Sequence, residues 1–230
     1  MHNVSFVLPY AEETVRGYLK TFVVERLKAL YPNSEIVMGD YELKPFSRGR
    51  AINNGVSKAT RDILFIMDTD FIFDKGIVEK AVGLIERRQA PWIIPFNYVH
   101  HVNDELTSEI LESPVDFVLC KKDMQVNRHL HQGLGSMCCM LKDDFERIGG
   151  FDENVIGWGY EDNVFAHIAN TLLGNYVRLD VPILHLWHPY LSYYKNDEIK
   201  EKNKQYFLKV AQINNKRDMV DFLSRRYKDE

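Results

Sequence analysis

Two aspartates one residue apart, Asp68-Thr69-Asp70, follow the wholly apolar run Ile63–Met67. In an extended chain both carboxylates point to the same side and repel unless a cation or a proton intervenes. Mg²⁺ and Mn²⁺ favour such oxygen donors and usually leave positions for substrate phosphates. A metal–diphosphate site is one reading of the pair; a solvated turn at a strand end is the other, and the pair alone leaves both open. A second group runs from Gly149-Gly150-Phe151-Asp152-Glu153 to Gly157-Trp158-Gly159-Tyr160-Glu161-Asp162. Glycine lets the backbone take positive φ and approach a ligand closely, and Trp158 offers a flat apolar face for a sugar ring. Glu161 and Asp162 open an apolar-periodic stretch, where a helix dipole favours the ionised form that a general base needs. Capping would account for the acidic pair and core packing for Trp158. Neither explains why two glycines bracket the tryptophan. Finally, His185-Leu186-Trp187-His188-Pro189 carries two histidines three residues apart. That spacing shares a face only in a helix, which Pro189 disfavours, so a common metal does not follow from it. His188, beyond a strand end, is the better ligand candidate; His129 and His131 read as loop residues, and His100-His101 has no interpretable context.

The elements that must position these groups alternate. Strands are predicted at residues 4–9, 35–38, 63–67 and 92–96, with helices at 15–30, 48–60 and 76–88 between them. The second half is more mixed: strands at 115–119, 134–141, 176–179 and 183–186, and helices at 142–148 and 160–173. Residues 197–226 read as two charged amphipathic helices. Alternation of this kind gives parallel βαβ units, hence an α/β fold with a mixed, mainly parallel central sheet flanked by helices. Ligands in such sheets bind beyond the carboxyl ends of the strands, where the acidic and histidine groups fall.

Composition narrows the function from the other side. The chain has 230 residues, 45% apolar and 12% aromatic, which excludes a disordered or fibrous protein. With 29 basic and 33 acidic residues its net charge is −4, against a primary role in binding a phosphate backbone. No apolar run is long enough to span a bilayer, and residues 1–9 read as a strand rather than a signal peptide. Cys138 and Cys139 are adjacent in a predicted strand and face opposite ways, and with Cys120 they make an odd count, which predicts reduced thiols and a cytoplasmic protein. No repeat or linker divides the chain. One domain is predicted over 1–230, with a nucleotide-binding half at 1–96, an acceptor and catalytic half at 97–190 and C-terminal helices at 191–230.

Several of these blocks, in chain order, resemble one family: nucleotide-sugar glycosyltransferases of the GT-A fold, particularly the β-1,4-galactosyltransferase-like group and related bacterial polymerase domains. Phe46-Ser47-Arg48-Gly49-Arg50-Ala51-Ile52-Asn53-Asn54-Gly55 is similar to that group's Phe-Asn-Arg-Ala-Lys-Leu-Leu-Asn-x-Gly. Asp68-Thr69-Asp70 resembles its Asp-x-Asp, and Gly150-Phe151-Asp152 through Gly157-Trp158-Gly159-Tyr160-Glu161-Asp162 its Gly-Phe…Gly-Trp-Gly-Gly-Glu-Asp. The resemblance implies a UDP-sugar as co-substrate and Mn²⁺ or Mg²⁺ held by Asp70 and His188. Asp68 would lie nearer the ribose or the metal's water shell. His185 stands where animal enzymes have methionine, which leaves its role open. Pro9, Tyr10, Asp40, Arg48 and Asn53 would bind the nucleotide; Trp158, Gly159, Tyr160 and Glu161 the sugar and acceptor; Asp162 would be the catalytic base. Tyr160 replaces a glycine and Asn163 an aspartate, and no anchor or stem precedes the domain, which suits a bacterial or phage enzyme.

The implied reaction is a single in-line displacement with inversion, in which an acceptor hydroxyl loses its proton to Asp162 as the nucleotide diphosphate leaves. The acceptor, a glycan, protein, metabolite or modified DNA base, is not legible. A sugar-nucleotidyltransferase would carry a basic glycine-rich loop after the first strand, and none lies between Pro9 and Arg26. A nucleotide-sugar-binding module without catalysis is disfavoured by the intact Glu161-Asp162 and Asp68/Asp70 pairs.

Overall fold

The computed structural model describes residues 3–11, 17–119, 129–131 (backbone only), 134–189 and 197–226. Val15 of the first predicted helix, and Cys120, lie outside the described residues. Val4–Tyr10 (β1), Gly17–Leu30 (α1), Glu35–Asp40 (β2), Arg48–Lys58 (α2) and Ile63–Met67 (β3) form two consecutive βαβ units. They are followed by Phe71–Ile72 (β4), Gly76–Glu86 (α3), Trp92–Ile94 (β5), Tyr98–His101 (β6), Asp104–Glu112 (α4), His129–His131 (β7) and Met137–Leu141 (β8). Lys142–Arg147 (α5), Glu161–Leu172 (α6), Val177–Arg178 (β9), Pro182–His185 (β10), Asp197–Val210 (α7) and Lys216–Arg225 (α8) complete the order.

One sheet has the strand order β2-β1-β3-β8-β5-β9, and a second has β4-β10-β6-β7. In the larger sheet β8 runs antiparallel to both neighbours while the other pairings are parallel, the mixed, mainly parallel α/β arrangement expected. β3 is buried throughout and β1 up to its last residue, as continuous apolar runs covered on both faces should be. Helix α2 lies directly on β1 and β2 because two glycines face each other there. A Cβ on Gly39 would stand 2.0 Å from the Ala51 carbonyl oxygen, and one on Gly55 2.6 Å from Val7 Cγ1. Ser47 caps α2 by accepting from Arg50 N–H (3.5 Å), which sets Arg48 in the first turn beside the strand ends.

The predicted strand at 115–119 is not formed. These residues follow α4 as irregular chain, and the buried Arg26 guanidinium donates to the carbonyls of Val115 (2.7 Å) and Phe117 (3.1 Å). A buried cation thus replaces the sheet partner that the run would need. Helix α4 itself was not predicted, although its start is legible: Asn103 accepts from Leu106 N–H (2.9 Å), with Asp104 and Glu105 in the first turn. His129–His131, read as loop, is a strand that pairs antiparallel with β6, and the two-residue β4 was missed.

Candidate active site

Arg48, in the first turn of α2, lies beside the carboxyl end of β3. Its Nε donates to Asp68 Oδ1 (2.7 Å) and its Nη1 to Asp162 Oδ1 (2.7 Å), so one guanidinium ties the residue after β3 to the second residue of α6. Burial disfavours the charge on Arg48, but Asp162, Asp68 and Glu161 outweigh it and raise the proton affinity. Asp68, desolvated and close to Asp70, is pushed upward despite Arg48. Asp68 N–H also donates to the Ser136 carbonyl (3.0 Å), and the preceding Gly135 lies against Asp162: a Cβ there would be 2.0 Å from Asp162 Oδ2. Gly135 was not singled out in the sequence; the two glycines and the serine of Gly133-Leu134-Gly135-Ser136 before β8 were the signal.

The chain turns at Thr69-Asp70, so the extended geometry assumed for the two aspartates is not formed, and Asp70 meets a different set of partners from Asp68. Asp70 is 4% exposed, and its Oδ2 lies 3.3 Å from His188 Nε2 and 3.7 Å from His185 Nε2. One potential ligand atom from each of the three residues lies within 4.8 Å of the others. The His185–His188 spacing therefore does converge without a helix. His185 comes from the end of β10, which pairs with β4 next to Asp70, and Leu186 N–H donates to the Asp70 carbonyl (2.8 Å). His188 Nδ1 is 3.1 Å from the Pro189 carbonyl oxygen, a contact that needs the proton on Nδ1. Nε2 then faces Asp70 as a lone-pair donor beside a carboxylate, an arrangement in which the two can share a cation. One buried carboxylate and two imidazoles suit a divalent cation such as Mn²⁺. His101, unread in the sequence, packs against His185 at a tilt of 45° with ring centroids 4.6 Å apart.

The glycine-flanked loop approaches from the other side. Gly157 (φ 75°) and Gly159 (φ 102°) take the left-handed conformations that their lack of a side chain permits, and Tyr160 takes φ 69° as the N-cap of α6. Trp158 is half-exposed, with Lys200 Nζ 4.9 Å from the centre of its ring. Gly159 N–H donates to Glu161 Oε2 (2.8 Å). Glu161 is buried, contrary to the expectation that the helix end would hold it ionised. Desolvation and the neighbouring Asp162 push it up to about 7, against Arg48 and the backbone N–H groups of Glu161 and Gly159. Below about pH 4.5 it is protonated both folded and unfolded. From there to about 7 the folded chain retains a proton that the unfolded chain releases, so this residue's contribution to stability falls as pH rises. Glu161→Gln, which keeps an oxygen for Gly159, is expected to melt several degrees above the wild type at about pH 8. The gap should vanish near pH 4.5; thermal melts across this range check it, and coincident melts at both ends refute it.

Of the remaining nucleotide candidates, Pro9 and Tyr10 are in register with Gly39 and Asp40 at the ends of β1 and β2. Asp40 is exposed and paired with Lys58 (2.8 Å). Asn53 is engaged elsewhere: its amide clamps the Phe151 backbone, accepting from N–H and donating to the carbonyl, both at 2.9 Å. Cys138 and Cys139 are buried free cysteines, and burial pushes the Cys138 thiol up to about 12, which removes it as a nucleophile.

Comparison with known proteins decides the family. Residues 6–186 match the sequence profile of "Glycosyltransferase like family 2". The chain belongs to that family. This family 2 glycosyltransferase is 24% identical over 172 residues to mouse chondroitin sulfate synthase 3, covering 73% of this chain and 18% of the relative. It is 27% identical over 150 residues to human chondroitin sulfate N-acetylgalactosaminyltransferase 2, covering 62% and 27%. The chain therefore spans less than a third of the length of these curated relatives. S. aureus TarS in complex with UDP-GlcNAc superposes with a TM-score of 0.60 at 11% identity, over 98% of this chain and 72% of that one. A mutant of Drosophila β1,4-galactosyltransferase 7, solved with manganese, UDP-Gal and xylobiose, gives 0.53 at 14%, over 85% and 74%. The glycosyltransferase therefore has the GT-A fold of these enzymes. Among its described residues no helix is long and apolar enough to cross a membrane.

Proposed function

We propose that this glycosyltransferase moves a sugar from a UDP-sugar to the hydroxyl of a glycan acceptor, with inversion and with dependence on a divalent cation, Mn²⁺ or Mg²⁺. The observation that carries the reading is the single Arg48 bridge between Asp68, two residues from the Asp70–His185–His188 cluster, and Asp162 on α6. Asp70, His185 and His188 would hold the ion. When bound, it supplies Lewis-acid neutralisation of the charge on the departing diphosphate. Asp162 accepts the proton of the acceptor hydroxyl, held in place by Arg48 through its Oδ1. Trp158 and Glu161 place the sugar and acceptor, with Gly159 and Tyr160 shaping the loop. Pro9, Tyr10 and Asp40 line the uridine side. In this scheme residues 1–96 serve the nucleotide, 97–190 the acceptor and the chemistry, and 191–230 are the C-terminal helices. UDP-sugars and manganese in the TarS and galactosyltransferase complexes, and the sugar-polymer relatives, support the donor, ion and acceptor classes.

Incubating the chain with a panel of nucleotide sugars, with and without Mn²⁺, tests this. Turnover of at least one UDP-sugar, lost on chelation with EDTA and restored by Mn²⁺, is the expected result. Binding or turnover of no donor, with no effect of metal, refutes the proposal.

A further inference from the structure

The family match ends at residue 186, yet α7, beyond it, packs its side chains onto the loop that carries Trp158 and Glu161. Asn203 is 5% exposed, and its amide nitrogen donates to the Ile156 carbonyl (2.9 Å) and the Gly159 carbonyl (3.0 Å). The peptides on both sides of Gly159 are thus engaged: the carbonyl by Asn203, the N–H by Glu161. Ile199 and Lys200 approach so closely that a Cβ on Gly157 would meet Ile199 Cγ2 at 3.1 Å and one on Gly159 would meet Lys200 Cγ at 3.5 Å. Phe207 stacks on Tyr160 (5.8 Å, 26°), the residue held at positive φ. The start of the loop is held by α7 and by the residue that follows α8: Tyr206 donates to the buried Asp152 (2.8 Å), and Arg226 pairs with Asp152 (3.5 Å) and hydrogen-bonds the Gly149 carbonyl.

From this geometry we infer that Asn203 is a positioning residue for the reaction: it fixes the Ile156–Gly159 backbone from outside the family core, and through it the placement of Trp158 and Glu161. The loop's own sequence, rich in positive-φ glycine, does not determine one conformation, because glycine gives up more backbone freedom on ordering than any other residue. Two hydrogen bonds from one buried amide on a helix supply the restraint. Misplacing an acceptor-side group by about an ångström costs up to about 10²-fold in rate. The inference rests on the reading of Trp158 and Glu161 as acceptor-side groups, while the restraint itself is a property of the fold.

Asn203→Leu, of similar shape and with no donor, separates the two. Hydrogen exchange should speed up by about tenfold or more at residues 157–162 while β1 and β3 exchange as in the wild type. UDP-sugar turnover with Mn²⁺ should fall about tenfold, and the affinity for UDP with Mn²⁺ should stay within about twofold. Asn203→Ser, smaller and able to donate one bond, should fall between and decides the matter if the leucine variant does not fold. Lys202→Ala, on an exposed neighbour, should change nothing. Unchanged loop exchange in the Asn203 variants, or equal loosening of loop and sheet, overturns the inference; so does faster exchange with turnover intact. If the wild type turns over no UDP-sugar, the proposed function fails, while the exchange measurement still decides whether Asn203 holds the loop.

Discussion

Asp162→Asn is expected to lower sugar transfer by about 10²–10⁴-fold, the usual contribution of a positioned general base, with UDP and Mn²⁺ binding changed by less than about threefold. The substitution keeps size and keeps an oxygen for the Arg48 guanidinium, now 2.7 Å from Asp162 Oδ1, so the bridge to Asp68 need not reorganise. It removes the oxygen able to take a proton. The tight fit against Gly135, where even a Cβ would come within 2.0 Å of Oδ2, leaves the side chain little room to adopt another position, which makes the variant a clean test of chemistry. Steady-state rates and calorimetric titration with UDP check it together. A variant that retains more than about a tenth of wild-type transfer removes Asp162 from the role of base.

Asp70→Ala is expected to abolish the metal-dependent part of the activity, a loss of about 10³-fold for a cation that offsets several kcal/mol of developing charge. Mn²⁺ affinity should fall with it, because the two imidazoles that remain lack the anionic partner now 3.3 Å and 3.7 Å away. The β4–β10 connection should survive, since Leu186 bonds to the backbone carbonyl of Asp70 and not to its carboxylate. Titration with Mn²⁺ followed by paramagnetic resonance reads the affinity directly. Cys138→Ser, a change to a buried thiol outside the proposed chemistry, should leave turnover largely intact. Unchanged Mn²⁺ dependence in Asp70→Ala would take Asp70 out of the metal site.

Legibility in the sequence followed how local each determinant is. β1, β2 and β3 were readable because each is a short β-rich run closed by polar residues or glycine and separated from the next by helix-periodic sequence. The order of the acidic, glycine-rich and histidine blocks pointed to the family for a related reason: close approach of backbone to a ligand leaves its mark in residue type. What could not be read depends on contacts between distant residues. The run at 115–119 has strand composition, but Arg26, far away in α1, takes its carbonyls. The turn at Thr69-Asp70 depends on the pairing of β4 with β10, and that pairing also brings His185 and His188 to one carboxylate. Glu161 sits at a helix start, where its local setting favours charge, yet burial against Asp162 and the glycine loop prevails. Asn53 lies in a block that matches the family but spends its amide on Phe151, because the two-pronged fit to that backbone is a property of the fold.

Asp70 and His185 are more than a hundred residues apart in the chain, yet a backbone ladder and the 2.8 Å bond from Leu186 already join their neighbourhoods. Drawing together the ends of so long a flexible segment costs entropy that grows as about 1.5RT ln n with its length. The fold itself closes that segment, so a cation held as proposed by Asp70, His185 and His188 would need to order only side-chain rotamers. Release would run the other way through a small element: opening of the two-residue strand β4, which follows Asp70 directly, would tie ion exchange to a local event rather than to unfolding of the larger sheet.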